Sequence, residues 1–404
     1  MSLLLLWLVA QTPLGGYLRF EAYAQTRSPY ALQKLALTFQ QRLDLEGDQV
    51  HGYGAFNVIF DALENRWILR PIEGYITASF GPADLTLGKR ILTWGEGVFV
   101  SPSDVVTPWN FTFLYSDLEE FREGVELAGL TLYHGPFWLQ GAFLPFFHPN
   151  RYPVPPIYTP VFAFEPDSAR RPSASLKNGG ALLRLGGTLG PVDFQVFGYR
   201  GYDPDPDLLH RFVFNFAWTT LAYHRVTFVG GNAVYIWGSR AIHLDFVYRR
   251  NPEQPAAPPG AVEWEEYKAP LFFGAIGAET SAWNDQLSLG LDYLYRRNFW
   301  PSDTVPQRSD LARDLFFEDF DGVSYLAYRL QWHDARELWR LQVMGIYDLK
   351  NKEAFTLPSL SYSLADGVNL RVGGLFSGTQ GKSPFTQMGK TLGNLAFTEV
   401  RWSF

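Results

Sequence analysis

Along most of this chain, apolar and polar side chains alternate one for one. Leu287, Leu289, Leu291, Tyr293 and Tyr295 interleave with Ser288, Gly290, Asp292 and Arg296. Ile242, Leu244, Phe246 and Tyr248 stand against His243, Asp245 and Arg249, and Val368, Leu370, Val372 and Phe376 against Asn369 and Arg371. In Trp339, Leu341, Val343 and Tyr347 the other face carries Arg340 and Gln342. Successive side chains of a strand point to opposite faces, so this period of two predicts strands with one greasy and one polar side. Helical periodicity is scarce. The pattern yields 19 candidate strands, from 15–25 at the start to 393–404 at the end. The stretch 211–237, read as strands 211–222 and 224–237, is the weakest because it lacks turn residues in its middle.

The connections fall into two sizes. Short ones carry turn residues, as at Gly135-Pro136, Gly190-Pro191 and Ala365-Asp366-Gly367. Long ones cover 94–123, 145–178, 251–267, 298–320 and 378–392. Two of these are proline-rich (Asn150 to Pro156 and Pro252 to Pro259) and supply too few N–H groups to sit in a sheet. Aromatic residues gather near segment ends. Repeated segments of about ten alternating residues, joined by alternately short and long connections, are the signature of a transmembrane barrel. The predicted fold is all-β: a single transmembrane antiparallel β-barrel with long extracellular loops and one inward-folded loop. Single-chain bacterial barrels normally have an even strand number, which makes 18 strands the expectation and 16 the fallback.

That fold dictates where charge goes. A charge facing lipid at the midplane costs about 2–4 kcal/mol, so parity sends Arg19, Glu21, Glu73, Arg184, Asp193, Asp245, Asp292, Arg296, Arg340 and Arg371 inward. Their signs are mixed. Ion pairs bracing the wall compete with a pore-lining role for each of them.

Composition narrows the function. Of 404 residues 17% are aromatic and 19% charged, against roughly 25% charged in soluble domains. No cysteine is present, which excludes disulfides, thiolate metal sites and cysteine nucleophiles. A net charge of −7 argues against a nucleic-acid partner. No run approaches the roughly 18 apolar residues of a membrane-spanning helix. Leu3 to Ala10 resembles the apolar part of an export signal, so residues 1–10 are expected to be a signal-peptide remnant and 11–404 the barrel. The seven histidines lack metal-ligand spacing. His243 and Asp245 share a face and would be able to pair, but no nucleophile accompanies them. No catalytic, metal or cofactor site is expected. The acidic runs Glu263 to Glu266 and Glu318 to Asp321 read as solvated loop.

The most distinctive internal stretch is Gly88-Lys89-Arg90-Ile91-Leu92-Thr93-Trp94-Gly95-Glu96-Gly97, followed by Ser103-Asp104-Val105-Val106-Thr107-Pro108-Trp109. It resembles a Gram-negative outer-membrane barrel family with a Gly-Arg-Gln, Trp-Gly-Glu, Asn-Pro pattern, with Lys89-Arg90 and Thr107-Pro108 as departures. Leu144 to Pro153 echoes a proline-rich loop of the same family. The resemblance implies a barrel in the style of porins and alginate-export channels. Read residue by residue, a strand from Leu85 to Thr93 enters a loop, and 94–122 is expected to fold inward as a constriction with Arg90, Glu96 and Asp104 on the pore. The competing reading makes Trp94 an interfacial anchor and Glu96 the ion-pair partner of Arg90 or Lys89. The final strand, with Val400, Trp402 and Phe404 on one face, looks like the assembly signal of such barrels. It implies the lipid bilayer and the barrel-assembly machinery as partners, and the bacterial outer membrane as location. The expected function is passive passage of a small hydrophobic, aromatic or saccharide solute. Loop aromatics such as Trp109, Phe111, Phe113, Tyr115, Phe146, Phe147, Tyr152, Tyr158, Phe162 and Phe164 form either a slide for that solute or the loop's own core. A component of an export machine with periplasmic or lipoprotein partners, or a non-conducting scaffold or adhesin, are the alternatives.

Overall fold

The computed structural model describes residues 14–26, 32–112, 115–151, 157–159, 162–165, 169–213, 216–251, 262–266, 268–299, 322–378 and 394–404. In chain order the first strands are β1 (Leu14–Gln25), β2 (Leu32–Glu46), β3 (Val50–Asp61), β4 (Arg66–Phe80), β5 (Ala83–Arg90), β6 (Val125–His134) and β7 (Phe137–Leu144). There follow β8 (Ile157–Thr159), β9 (Phe162–Phe164), β10 (Gly180–Leu189), β11 (Val192–Tyr202), β12 (Asp207–Val213), β13 (Phe216–Ala222), β14 (Arg225–Trp237) and β15 (Arg240–Arg250). The last are β16 (Glu263–Glu266), β17 (Leu271–Ala282), β18 (Leu287–Asn298), β19 (Val323–His333), β20 (Trp339–Asp348), β21 (Glu353–Ala365), β22 (Val368–Ser377) and β23 (Leu395–Ser403).

Eighteen of these form one closed antiparallel barrel, with β23 paired to β1 from Tyr17↔Ser403 to Gln25↔Leu395. The other five, in the order β16-β12-β13-β9-β8, make a separate small sheet from the connections of the long-loop end. At the opposite end the connections run from two residues to the five of 334–338. Three are Gly-Pro pairs, with Gly81, Gly135 and Gly190 at φ of 60°, 57° and 61°. A glycine in that region at the first turn position, followed by a residue of negative φ, suits a two-residue hairpin. Short turns mark the periplasmic end of a barrel. The chain closes there too: Gly16 and Phe404 exchange backbone hydrogen bonds of 3.0 and 3.1 Å.

The two faces differ as alternation requires. Outward positions such as Leu244, Ile276 and Leu291 are exposed by 49%, 55% and 54%, whereas Arg19, Glu21, Asp245 and Asp292 on the other face are fully buried. A continuous apolar belt of this kind on a closed barrel is a lipid-facing surface. Exposed Phe80, Trp237, Trp283, Trp339 and Trp402 ring its short-turn end.

Three expectations are corrected. Segment 211–222 is not a barrel strand: β12 and β13 are seven residues each, short of the roughly nine to eleven that a bilayer requires. The adjacent Leu208 and Leu209 are both buried, so the first half of β12 is covered on both faces, whereas Arg211 and Phe212 beyond it are exposed. β4 starts at Arg66 rather than 72, because Pro71 is accommodated at a register shift opposite Ala55 and Phe56. Glu263 to Glu266 is strand β16 rather than solvated loop, with Glu263 ion-paired to Arg170 at 2.8 Å and Arg211 at 2.9 Å. Glu318 to Asp321 and the 1–10 segment lie outside the described residues.

Candidate functional site: the inward loop and the lumen

β5 ends at Arg90, and residues 91–112 and 115–124 lie in the barrel interior. Gly88 has φ of 130° and lies against Tyr75 and the Gly74 carbonyl, an approach that a side chain would obstruct. From there the loop is tied to strands all around the wall. Ile91 N–H donates to Glu73 of β4 at 2.8 Å. The Trp94 carbonyl accepts from Gln195 of β11 and Asn232 of β14. Val98 N–H donates to Asp292 of β18 at 2.7 Å. The Ser101 and Ser103 hydroxyls both donate to Asp245 of β15. At the far side Ser116 donates to Glu399 of β23 at 2.5 Å. Glu120 accepts from Arg19 of β1 at 2.7 Å, and Arg70 of β4 donates to the Tyr115 hydroxyl at 2.7 Å and the Glu120 carbonyl at 2.9 Å.

Apolar contacts reinforce the docking. Trp94, 2% exposed, packs on Phe197 with ring centroids 4.7 Å apart. With Leu92 and Val106 it joins a cluster that includes Val125, Leu127, Leu182, Phe228 and Val247 of the inner wall. The wall is therefore greasy inside as well as outside where the loop covers it. Trp94 is a core residue and not an interfacial anchor. Gly95 is required at its position, since a Cβ there would overlap Ser101 and the Asp245 carboxylate.

The residues singled out from the sequence fall into three groups. Asp245 and Asp292 hold the loop. His243 pairs with Asp292 at 2.8 Å, not with Asp245, because Gly277, between β15 and β18, leaves room for the ring to meet that carboxylate. Asp104 is bonded to Arg122 within the loop itself. Arg184 lies between Trp94 and Trp138, 5.1 Å from each ring, and bonds Gln140 at 3.1 Å. Arg90 sits 4.8 Å over Tyr75, and Glu96 is exposed; among the described residues they form no ion pair with each other, nor does Glu96 with Lys89. Arg296 is on the inner face of β18, in parity with Asp292. Arg340 and Arg371 flank a cavity of about 250 Å³ near the short-turn end, shared with Arg401, Glu399, Ser361 and Asn369. Arg371 there donates to Gln342 at 3.2 Å and Ser359 at 3.0 Å. Val400, Trp402 and Phe404 face outward at that rim, exposed by 38%, 44% and 39%.

Of the loop aromatics, Trp109 and Phe111 stack at 5.8 Å, Tyr115 meets Phe121 at 5.3 Å, Phe147 meets Tyr223 at 5.0 Å and Phe164 is fully buried. They are loop core. The side chains of Phe113, Tyr152, Tyr158 and Phe162 lie outside the described residues.

Sequence reading missed Glu120, Arg70 and Glu399 as loop anchors. A signal existed for Glu120: Asp117 caps the short 3-10 helix Leu118–Phe121, accepting from Glu119 N–H. It also missed a polar latch over the long-loop end. Lys268 lies 3.2 Å from Asp203, and its N–H donates to Asp207 at 2.7 Å. His224 bridges Asp207 at 2.8 Å and Glu265 at 2.7 Å. Burial disfavours the Asp207 carboxylate, but the Lys268 charge and the His224 hydrogen bond outweigh it and hold its pKa below the ordinary value. Burial likewise opposes the His224 imidazolium. The hydrogen bonds and charges of Asp207 and then Glu265 prevail, and its pKa is raised.

The chain matches no family model and no curated protein. Solved structures of similar fold include OccAB2 of Acinetobacter baumannii, at TM-score 0.54 and 12% identity over 97% of each chain. OpdO of Pseudomonas aeruginosa has TM-score 0.54 and 14% identity over 97% of this chain and 96% of that one. The outer membrane protein opdK of the same organism has TM-score 0.53 and 10% identity over 97% and 98%. At such identities the likeness is one of fold, that of an outer-membrane β-barrel.

Two outcomes follow from the geometry. Replacing both Ser101 and Ser103 by alanine strips Asp245 of its hydroxyl donors and should destabilise the loop by about 2–4 kcal/mol. Amide hydrogen exchange in the loop would then be faster than in wild type, while Thr93→Ala at an exposed loop position leaves it unchanged. The raised His224 pKa stabilises the small sheet fully below the unfolded value of about 6.5, and that stabilisation is lost as pH rises through the folded value. Protease cleavage within 203–224 should therefore accelerate with rising pH in wild type, after correction for protease activity, and much less so in His224→Gln.

Proposed function

We propose that this chain is an outer-membrane channel for passive passage of small, water-soluble solutes, with anionic or hydroxyl-rich molecules preferred. Fold likeness to outer-membrane porins supports the channel. One observation carries the preference. The inner-wall acids Glu73, Asp245, Asp292 and Glu399 each accept a hydrogen bond from the inward loop. Among the described residues, Arg90, Arg184, Arg371 and Arg401 have no carboxylate within ion-pair distance. The loop thus occupies these wall acids with hydrogen bonds and covers them, while the four guanidinium groups keep no carboxylate at ion-pair distance, an arrangement that favours anion passage.

Of the solute classes expected from the sequence, the saccharide agrees best with this lining. Among the described loop aromatics, Trp109, Phe111, Tyr115 and Phe147 pack on other rings and Phe164 is buried, which leaves Phe146 exposed. In planar bilayers the purified protein should show discrete conductance steps with chloride favoured over potassium. The double variant Arg371→Glu/Arg401→Glu should lower that permeability ratio by about threefold or more. An unchanged ratio contradicts the preference, and an absence of steps contradicts the channel in favour of a plugged scaffold.

A further inference from the structure

On the lipid-facing surface, charge is concentrated in one place. At the long-loop end of β11, β14, β15 and β18 the outward positions are Arg200, Arg225, Arg250 and Arg297, all exposed. They continue the faces that carry Val196, Val229, Tyr248 and Tyr293, exposed by 48%, 53%, 41% and 42%. Arg200 and Arg250 are both register partners of Thr227, from its two sides, which sets their Cα atoms about 10 Å apart. Arg225 is two residues further out on the Thr227 strand. It donates to the Lys177 carbonyl and lies 5.1 Å over Tyr202. Arg297 is the partner of Phe272, itself the partner of Tyr248, and lies 5.4 Å over Phe299.

These four arginines form no ion pair among the described residues. No acidic residue occupies an outward position on β10, β11, β14, β15, β17 or β18. Near the same end, the other outward charges are Lys89 and Glu126, which are register partners of opposite sign. The arginine patch is thus a one-signed cluster at the level where the apolar belt gives way to headgroups. Like charges on neighbouring strands repel, and a guanidinium gains most from a bidentate anion. Among the described residues no carboxylate supplies the counter-charge, and headgroup phosphate lies at that level of the membrane.

We infer that this patch binds the phosphate groups of the phosphorylated glycolipid that surrounds the barrel in the outer leaflet. Arg200 and Arg250 flank one phosphate across Thr227, with Arg225 above, and Arg297, three strands from Thr227, is left for a second phosphate. The inference rests on the membrane-spanning barrel and not on conduction.

The test uses the purified full-length protein in a non-ionic detergent, titrated with a bisphosphorylated lipid A, with its dephosphorylated form and with inorganic phosphate. Lipid A should bind. Arg200→Gln/Arg250→Gln/Arg297→Gln should weaken binding on the order of a hundredfold, and Arg250→Gln alone about fivefold. Arg240→Gln, outward at the opposite rim, should bind as wild type. Heat-dependent gel mobility verifies that each variant is folded, and the single variant serves if the triple is not. The inference is overturned if the arginine variants bind as wild type, if the dephosphorylated lipid binds equally, or if inorganic phosphate displaces lipid A at equal concentration. A wild-type protein that binds lipid A but conducts no ions would overturn the channel alone.

Discussion

Inside hydrocarbon a peptide group has no water to turn to, and the whole structure follows from satisfying it. Each spanning strand needs a neighbour on both sides, so β1 and β23, separated by nearly the full chain, pair along nine register positions from Tyr17↔Ser403 to Gln25↔Leu395. Once the sheet is closed, alternation has only one outcome. Leucines and aromatics on one parity face lipid, and residues on the other, whatever their polarity, are enclosed together.

Enclosure then creates the problem that the inward loop solves. A wall that encloses Asp245, Asp292, Glu399, Arg19 and Glu21 has buried charges to satisfy. Residues 91–112 and 115–124 bring hydroxyls, backbone N–H groups and the Glu120 carboxylate to four of these, Asp245, Asp292, Glu399 and Arg19, while Lys34 pairs with Glu21. They also cover an apolar sector of the inner wall with Leu92, Trp94 and Val106. Loop and wall are thus a single packed unit. The space that remains is bordered by side chains the loop does not reach, among them Arg371 and Arg401.

The barrel was legible because period-two alternation is a local signal, repeated in segment after segment. So were the two classes of connection and the inward turn after Arg90. Segment 211–222 misled because a buried strand of a small sheet shows the same β-branched and aromatic residues as a membrane strand. Only its length and the covering of both faces in the first half of β12 distinguish it. The anchors Glu120, Arg70 and Glu399 were illegible because their partners are about a hundred residues away or more, except for Arg70 and the loop that follows it. Parity predicts that Asp245 points inward but not that two serines of a distant loop will meet it. For the same reason His243 was assigned the carboxylate nearest in sequence rather than Asp292, its neighbour in space.

The division of each strand into a lipid face and an enclosed face is the central claim, and the absence of native cysteine makes it directly measurable. Leu244→Cys on the lipid face of β15 and Ser361→Cys on the enclosed face of β21 would be introduced singly and the protein reconstituted in vesicles. A water-soluble, membrane-impermeant maleimide should label Cys at position 361 and leave position 244 unmodified, while a fluorophore at 244 should be quenched by nitroxide-bearing lipid tails. Rapid aqueous labelling at 244, with no quenching from the lipid, would contradict the account.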